Sequence, residues 1–166
     1  MKGKWAIGIV PRNFVWVIKD QLAACERPGG YARNHRKIRR QEEILWIKNQ
    51  GFDRVVSLLP SNHNLHAYDE LGVQWEHVPM VPAGDQRVVL AELYPKIRGS
   101  LAAGEKLLIH QEEFADVLMG VLGGYLLWAG LLPTGPQTIA AMERLTQKQM
   151  GPPGRELIAI AGSLEK

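Results

Sequence analysis

Cysteine is almost absent from this chain. Cys25 is the one thiol in 166 residues, so no internal disulfide can form, and a reducing compartment such as the cytoplasm is expected. Long apolar runs are missing too. The most apolar stretch, residues 117–132, falls short of the ~20 residues a bilayer requires, so no membrane span is expected. Residues 22–25, LAAC, have the look of a lipoprotein cleavage box, but Arg12, Lys19 and Asp20 interrupt the apolar segment that should precede it, which argues against an export signal. Charge of one sign is barely in excess. The 20 Lys and Arg against 17 Asp and Glu leave +3, too little to call for a nucleic-acid partner. Metal-ligand spacing is equally thin: His63 and His66 share a helical face, but no further ligand joins them, so no metal and no cofactor are expected. What is present, 46% hydrophobic and 22% charged residues, suits a single soluble domain over residues 1–166.

The chain is organised around residues 106–132, KLLIHQEEFADVLMGVLGGYLLWAGLL. A short apolar strand, 106–109, ends at His110; a tight loop follows, and 117–132 reads as a helix apolar on all sides, as expected of a buried one. Gly120, Gly123 and Gly124 remove side chains where a sheet could approach. The start of such a helix presents unpaired N–H groups and a positive dipole end, an anion site in outline.

Upstream, 5–10 and 14–18 read as strands around the turn Pro11-Arg12-Asn13. A further short strand, 22–24, leaves Cys25 near its surface end with a structural role. After the loop 27–31 comes the basic run Arg33, His35, Arg36, Lys37, Arg39 and Arg40. It reads as a solvated face of a helix ended by Gly51, or as a site for an anionic partner with Arg36 and Arg39 as binding residues. A buried strand over 54–60, a short helix capped by Ser61 and running to Leu71, and a strand over 74–78 follow. Pro79, Pro82, Ala83 and Gly84 form a loop leading to Asp85, which is placed to cap the helix 86–103. Past the turn 133–136, helices are expected over 137–150 and 155–164, separated by the Gly-Pro-Pro-Gly of 151–154. This order argues for a three-layer α/β/α domain with a central, mostly parallel sheet and a crevice at the carboxyl ends of its strands.

Segments 13–30, 42–60, 71–85 and 106–132 resemble the cysteine-dependent protein tyrosine and dual-specificity phosphatases. That family's motif is His, a nucleophilic Cys, five residues and an Arg; the matching positions here are His110, Gln111 and Val117. Phe114 and Asp116 stand where loop glycines are usual, and Asp85 stands at the position of the general acid. The resemblance implies a dual-specificity-phosphatase-type fold and a catalytically degenerate, pseudophosphatase-like binding or regulatory domain. The alternative is a phosphoric-ester hydrolase that uses His110, Glu112, Glu113, Asp116 or Asp85 as acid, base or metal ligand. For a binding domain, Gln111, Glu112, Glu113, Phe114, Ala115 and Asp116, with Arg36 and Arg39, are the candidates to meet a protein or a phosphorylated or anionic ligand. Glu112, Glu113 and Asp116, if turned inward, would repel such a ligand: unit charges ~5 Å apart interact by roughly 3 kcal/mol at an effective dielectric of ~20, more than the half charge of a helix end offers.

Overall fold

The computed structural model describes residues 8–30, 37–62, 64–81 and 84–166. The expected strand over 5–10 lies outside them at residues 5–7, and residues 8–10 form no strand. The chain gathers into two compact units, one of Met1–Val81 with Ser100–Glu113, the other of Pro82–Gly99 with Phe114–Lys166.

The first unit holds a five-stranded sheet: β1 (Val15–Ile18), β2 (Leu22–Glu26), β3 (Arg54–Ser57), β4 (Trp75–His77) and β5 (Leu107–Gln111), in the order β1-β2-β5-β3-β4. Only β1 and β2 pair antiparallel; β2 with β5, β5 with β3 and β3 with β4 are parallel. The sheet is therefore mostly parallel, as expected. Parallel strands are covered on both faces, which is why β5 and β2 read as unbroken apolar runs. β2 continues two residues beyond the expected 22–24, and Cys25, expected near the surface, is fully buried there, in register with His110 of β5. The sequence signal failed because Glu26 closes the strand with a charge, and that carboxylate is held by the Asn13 side chain at 3.0 Å.

Two helices accompany this sheet, α1 (Lys37–Asn49) and α2 (His66–Glu70). Gly51, at φ +83°, reverses the chain after α1 in a conformation that favours glycine. Ser61 is not the cap of α2, which starts later, at His66, with Leu65 as an N-cap that makes no side-chain bond, after backbone turns in which Leu65 and Ala67 donate to Asn62 and Asn64. Beside β1, Phe14, Trp16, Trp46 and Phe52 pack ring to ring, and the Lys106 ammonium sits 5.2 Å from the ring centres of Trp16 and Phe52.

In the second unit α4 (Asp116–Trp128) is the buried helix. It ends before residue 132, because the carbonyls of its last turn are taken by Ala129, Gly130 and Leu131 as Gly130 turns through φ +78°. Its glycines face helices, not a sheet: a Cβ on Gly120 would lie 2.6 Å from the Gly154 carbonyl oxygen, and one on Gly123 2.9 Å from Met142. The remaining elements are α3 (Gln86–Ala102), α5 (Gly135–Thr146) and α6 (Pro152–Ser163). α3 sends the Tyr94 hydroxyl to the Val121 carbonyl at 2.8 Å. α5 begins earlier than expected because Thr134 accepts the Gln137 N–H, and it stops at Gln147, which adopts φ +59°. α6 absorbs the two prolines expected to separate the helices, since proline suits a first helical turn, where no N–H partner is needed. The result, among the described residues, is an α/β fold with a mixed five-stranded sheet and six helices. Among the described residues no helix is long and apolar enough to cross a membrane.

Candidate functional site

β5 delivers His110 and Gln111 to the carboxyl end of the sheet, where open α/β sheets carry their ligands. His110 is 1% exposed, its Nδ1 3.1 Å from the Tyr68 hydroxyl, while Nε2 has no hydrogen-bond partner among the described residues. Burial, aided by the positive field of Arg27 and by His77, pulls the imidazole pKa down to about 3. His110 is thus neutral across the physiological range.

Gln111 closes β5. Its amide nitrogen donates to the Leu58 carbonyl at 3.0 Å, and its amide oxygen accepts the Glu112 N–H at 3.0 Å. Both ends of the side chain are therefore engaged by backbone, and the first N–H of the loop is already bonded. Glu112, half-exposed, lies 3.6 Å from the Arg27 guanidinium, and Glu113 is exposed. Neither carboxylate meets another acid in a ligand cluster: among the described residues no group of three His, Cys, Asp or Glu could hold a metal ion.

The later loop positions belong to the second unit. Phe114 is buried, and its carbonyl accepts a hydrogen bond from the Lys148 ammonium at 2.9 Å. Ala115 is the N-cap of α4 and supplies no side-chain cap. Asp116 opens the helix with its carboxylate against Gly151, at the start of α6, where a negative group faces the positive end of a helix dipole. Val117 is 37% exposed. In the same unit Asp85 accepts the Arg87 N–H at 3.0 Å through its side chain, the capping bond expected for the start of α3.

Of the basic run, Arg36 and its neighbours 31–35 lie outside the described residues, as does His63; His66 is exposed on α2. Arg39 is bound to Glu43 at 3.0 Å. Glu43, unmarked in the sequence, organises this end of the sheet. It is 1% exposed and takes the Gly29 N–H at 2.6 Å, fixing the Pro28-Gly29-Gly30 loop to α1. Burial raises its pKa, against the lowering effects of the Gly29 amide and Arg39. The same loop is closed by Arg27, whose N–H reaches the Gln111 carbonyl at 2.8 Å and whose Nε reaches the Gly30 carbonyl at 3.0 Å. Cys25 lies beneath. Burial first, then Glu43 and Glu26, push its thiol pKa well up, so it carries no thiolate for chemistry.

No protein-family model and no curated protein sequence matches the chain. Solved structures do. The kinase-associated phosphatase, with its catalytic cysteine replaced by serine, superposes with a TM-score of 0.76 at 18% identity, over 93% of this chain and 99% of that one. Tk-PTP in its active form gives 0.72 at 17% identity, over 90% and 96%. The catalytic core of Siw14 from S. cerevisiae, described as a PP-IP phosphatase, gives 0.65 at 14% identity, over 92% and 86%. These identities speak to architecture, and in architecture the chain has the fold of the protein tyrosine and dual-specificity phosphatases.

Proposed function

We propose that this is a non-catalytic member of the phosphatase fold, a single binding or regulatory domain over residues 1–166 that meets a protein or an anionic ligand without turning it over. One observation carries the reading: the Gln111 side chain bridges the Leu58 carbonyl and the Glu112 N–H. Cysteine-dependent chemistry needs a low-pKa thiolate at this point, with loop amides left to receive the phosphoryl oxygens. A neutral amide that consumes one of those amides supplies neither. Val117 at the Arg position removes the paired hydrogen bonds that would hold a phosphate, and the buried, protonated Cys25 offers no replacement nucleophile.

The acidic side chains give little support to a hydrolase built on carboxylates. Glu112 leans on Arg27, Asp116 lies against Gly151 and Asp85 caps α3, so each has a structural occupation. The single thiol, Cys25, supports a reducing, cytoplasmic setting.

The test is turnover of an aryl phosphate by the purified protein, with and without a divalent metal ion. No hydrolysis above background is expected in either case. Hydrolysis that depends on metal would favour a phosphoric-ester hydrolase; hydrolysis abolished by alkylating Cys25 would overturn the proposal outright.

A further inference from the structure

Within the first unit a small cleft, with room for about one water, is lined by Arg27, Arg40, Asn64, Tyr68 and His110, with Ile44, Leu59 and Leu65 as apolar walls. We infer that Arg27 and Arg40 form a receptor for a phosphate-type oxyanion at the mouth of this cleft. The inference rests on the reading above, that the domain binds anions without turning them over, and it gives that binding a place and a chemistry.

Three observations carry it. Two guanidinium groups line one cleft, where burial first and then the charge of Arg27 weaken the hold of Arg40 on its proton, while Glu70 acts in the opposite sense. Arg27 already receives an oxyanion from its own chain: the Glu112 carboxylate approaches to 3.6 Å, beyond hydrogen-bond length, and is half-exposed. A dianion placed between two guanidiniums, which bind phosphate through paired N–H groups, outcompetes such a contact. Lastly, His110 Nε2 is buried without a partner. When the Tyr68 hydroxyl donates to Nδ1, Nε2 carries the ring proton and calls for an acceptor, which the anion or a water beneath it supplies.

Binding would draw Arg27 away from Glu112 and so release the ion pair between loop residue 112 and the cleft. The experiment is calorimetric titration of the full chain with inorganic phosphate at low salt, with chloride as control, followed by amide chemical shifts. Saturable binding is expected, with shifts concentrated at residues 27–30, 64–68 and 110–112. Arg27→Gln and Arg40→Gln should each weaken it about tenfold or more, the scale of a lost charge-assisted hydrogen bond. Glu112→Gln should strengthen it severalfold, by removing the competing carboxylate. Because Glu112 is half-exposed, that variant keeps the fold and decides the matter even where an Arg variant does not fold. No saturable phosphate binding, or binding that these substitutions leave unchanged, overturns the inference. Hydrolysis of an aryl phosphate would instead strike at the non-catalytic reading, and the two failures are separately visible.

Discussion

His110 shows how much a single buried ring can weigh on the molecule. The folded protein keeps it neutral down to about pH 3, whereas an exposed imidazole protonates near 6.5. Between those values the unfolded chain takes up the proton and the folded one does not. This contribution to stability is therefore whole above pH 6.5 and is lost as pH falls toward 3, at up to ~1.4 kcal/mol per pH unit. Glu43 works against it, since a carboxyl with a raised pKa favours the folded state as pH falls. The sum is best separated by comparing denaturant midpoints of the wild type and His110→Gln from pH 7 to 5: the wild type should lose stability on acidification, and the variant distinctly less. Gln111 is the second test at this scale. Gln111→Cys removes a hydrogen bond at each end of the amide and should lower stability by about 1–2 kcal/mol; a raised thermal midpoint would contradict the structural role assigned to it. The motif positions of this site were legible in the sequence, because they follow one another along the chain. Tyr68, Arg27 and Glu43 were not, since they reach the site from other elements, and sequence distance carries no trace of a buried carboxylate finding a loop amide.

Among the elements, the helices were found more easily than their limits. α4 was legible from its unbroken apolarity, but its glycines suggested a neighbouring sheet, whereas they admit α5 and α6. Periodicity reports which face is buried and says nothing of what covers it. Gly120→Ala tests the contact: the added methyl meets the Gly154 carbonyl and cannot be relieved by a rotamer change. A loss of about 1–3 kcal/mol is expected, the usual cost of overpacking, read as a lower denaturant midpoint. At the start of α3, Asp85 offered two readings in sequence, cap or acid, and the 3.0 Å bond to the Arg87 N–H accounts for it as a cap. Asp85→Ala should therefore cost about 0.5–2 kcal/mol, and Asp85→Asn, which also caps, should restore most of that. An effect on ligand binding without one on stability would argue for the acid.

At the largest scale, the alternation of strands and helices pointed to an α/β fold, and the mixed sheet and helices of the described residues agree. Strand order was less legible, because pairing partners are chosen by packing between distant segments. That order, β1-β2-β5-β3-β4, has a consequence for the making of the protein. β5 is the last strand to leave the ribosome, yet it sits in the middle of the sheet, joined to β2 on one side and β3 on the other. Until residue 111 has been synthesised, the sheet can form at most as two separate strand pairs, each too small to be stable alone and each with an apolar edge open to solvent. Such edges are templates for pairing between chains. A fragment ending at residue 104 should show no amides protected from hydrogen exchange in β2 or β3. In the refolding full-length chain, β2, β3 and β5 should gain protection in one kinetic phase. A translational pause before β5 should therefore raise the insoluble fraction more than a pause of equal length after it.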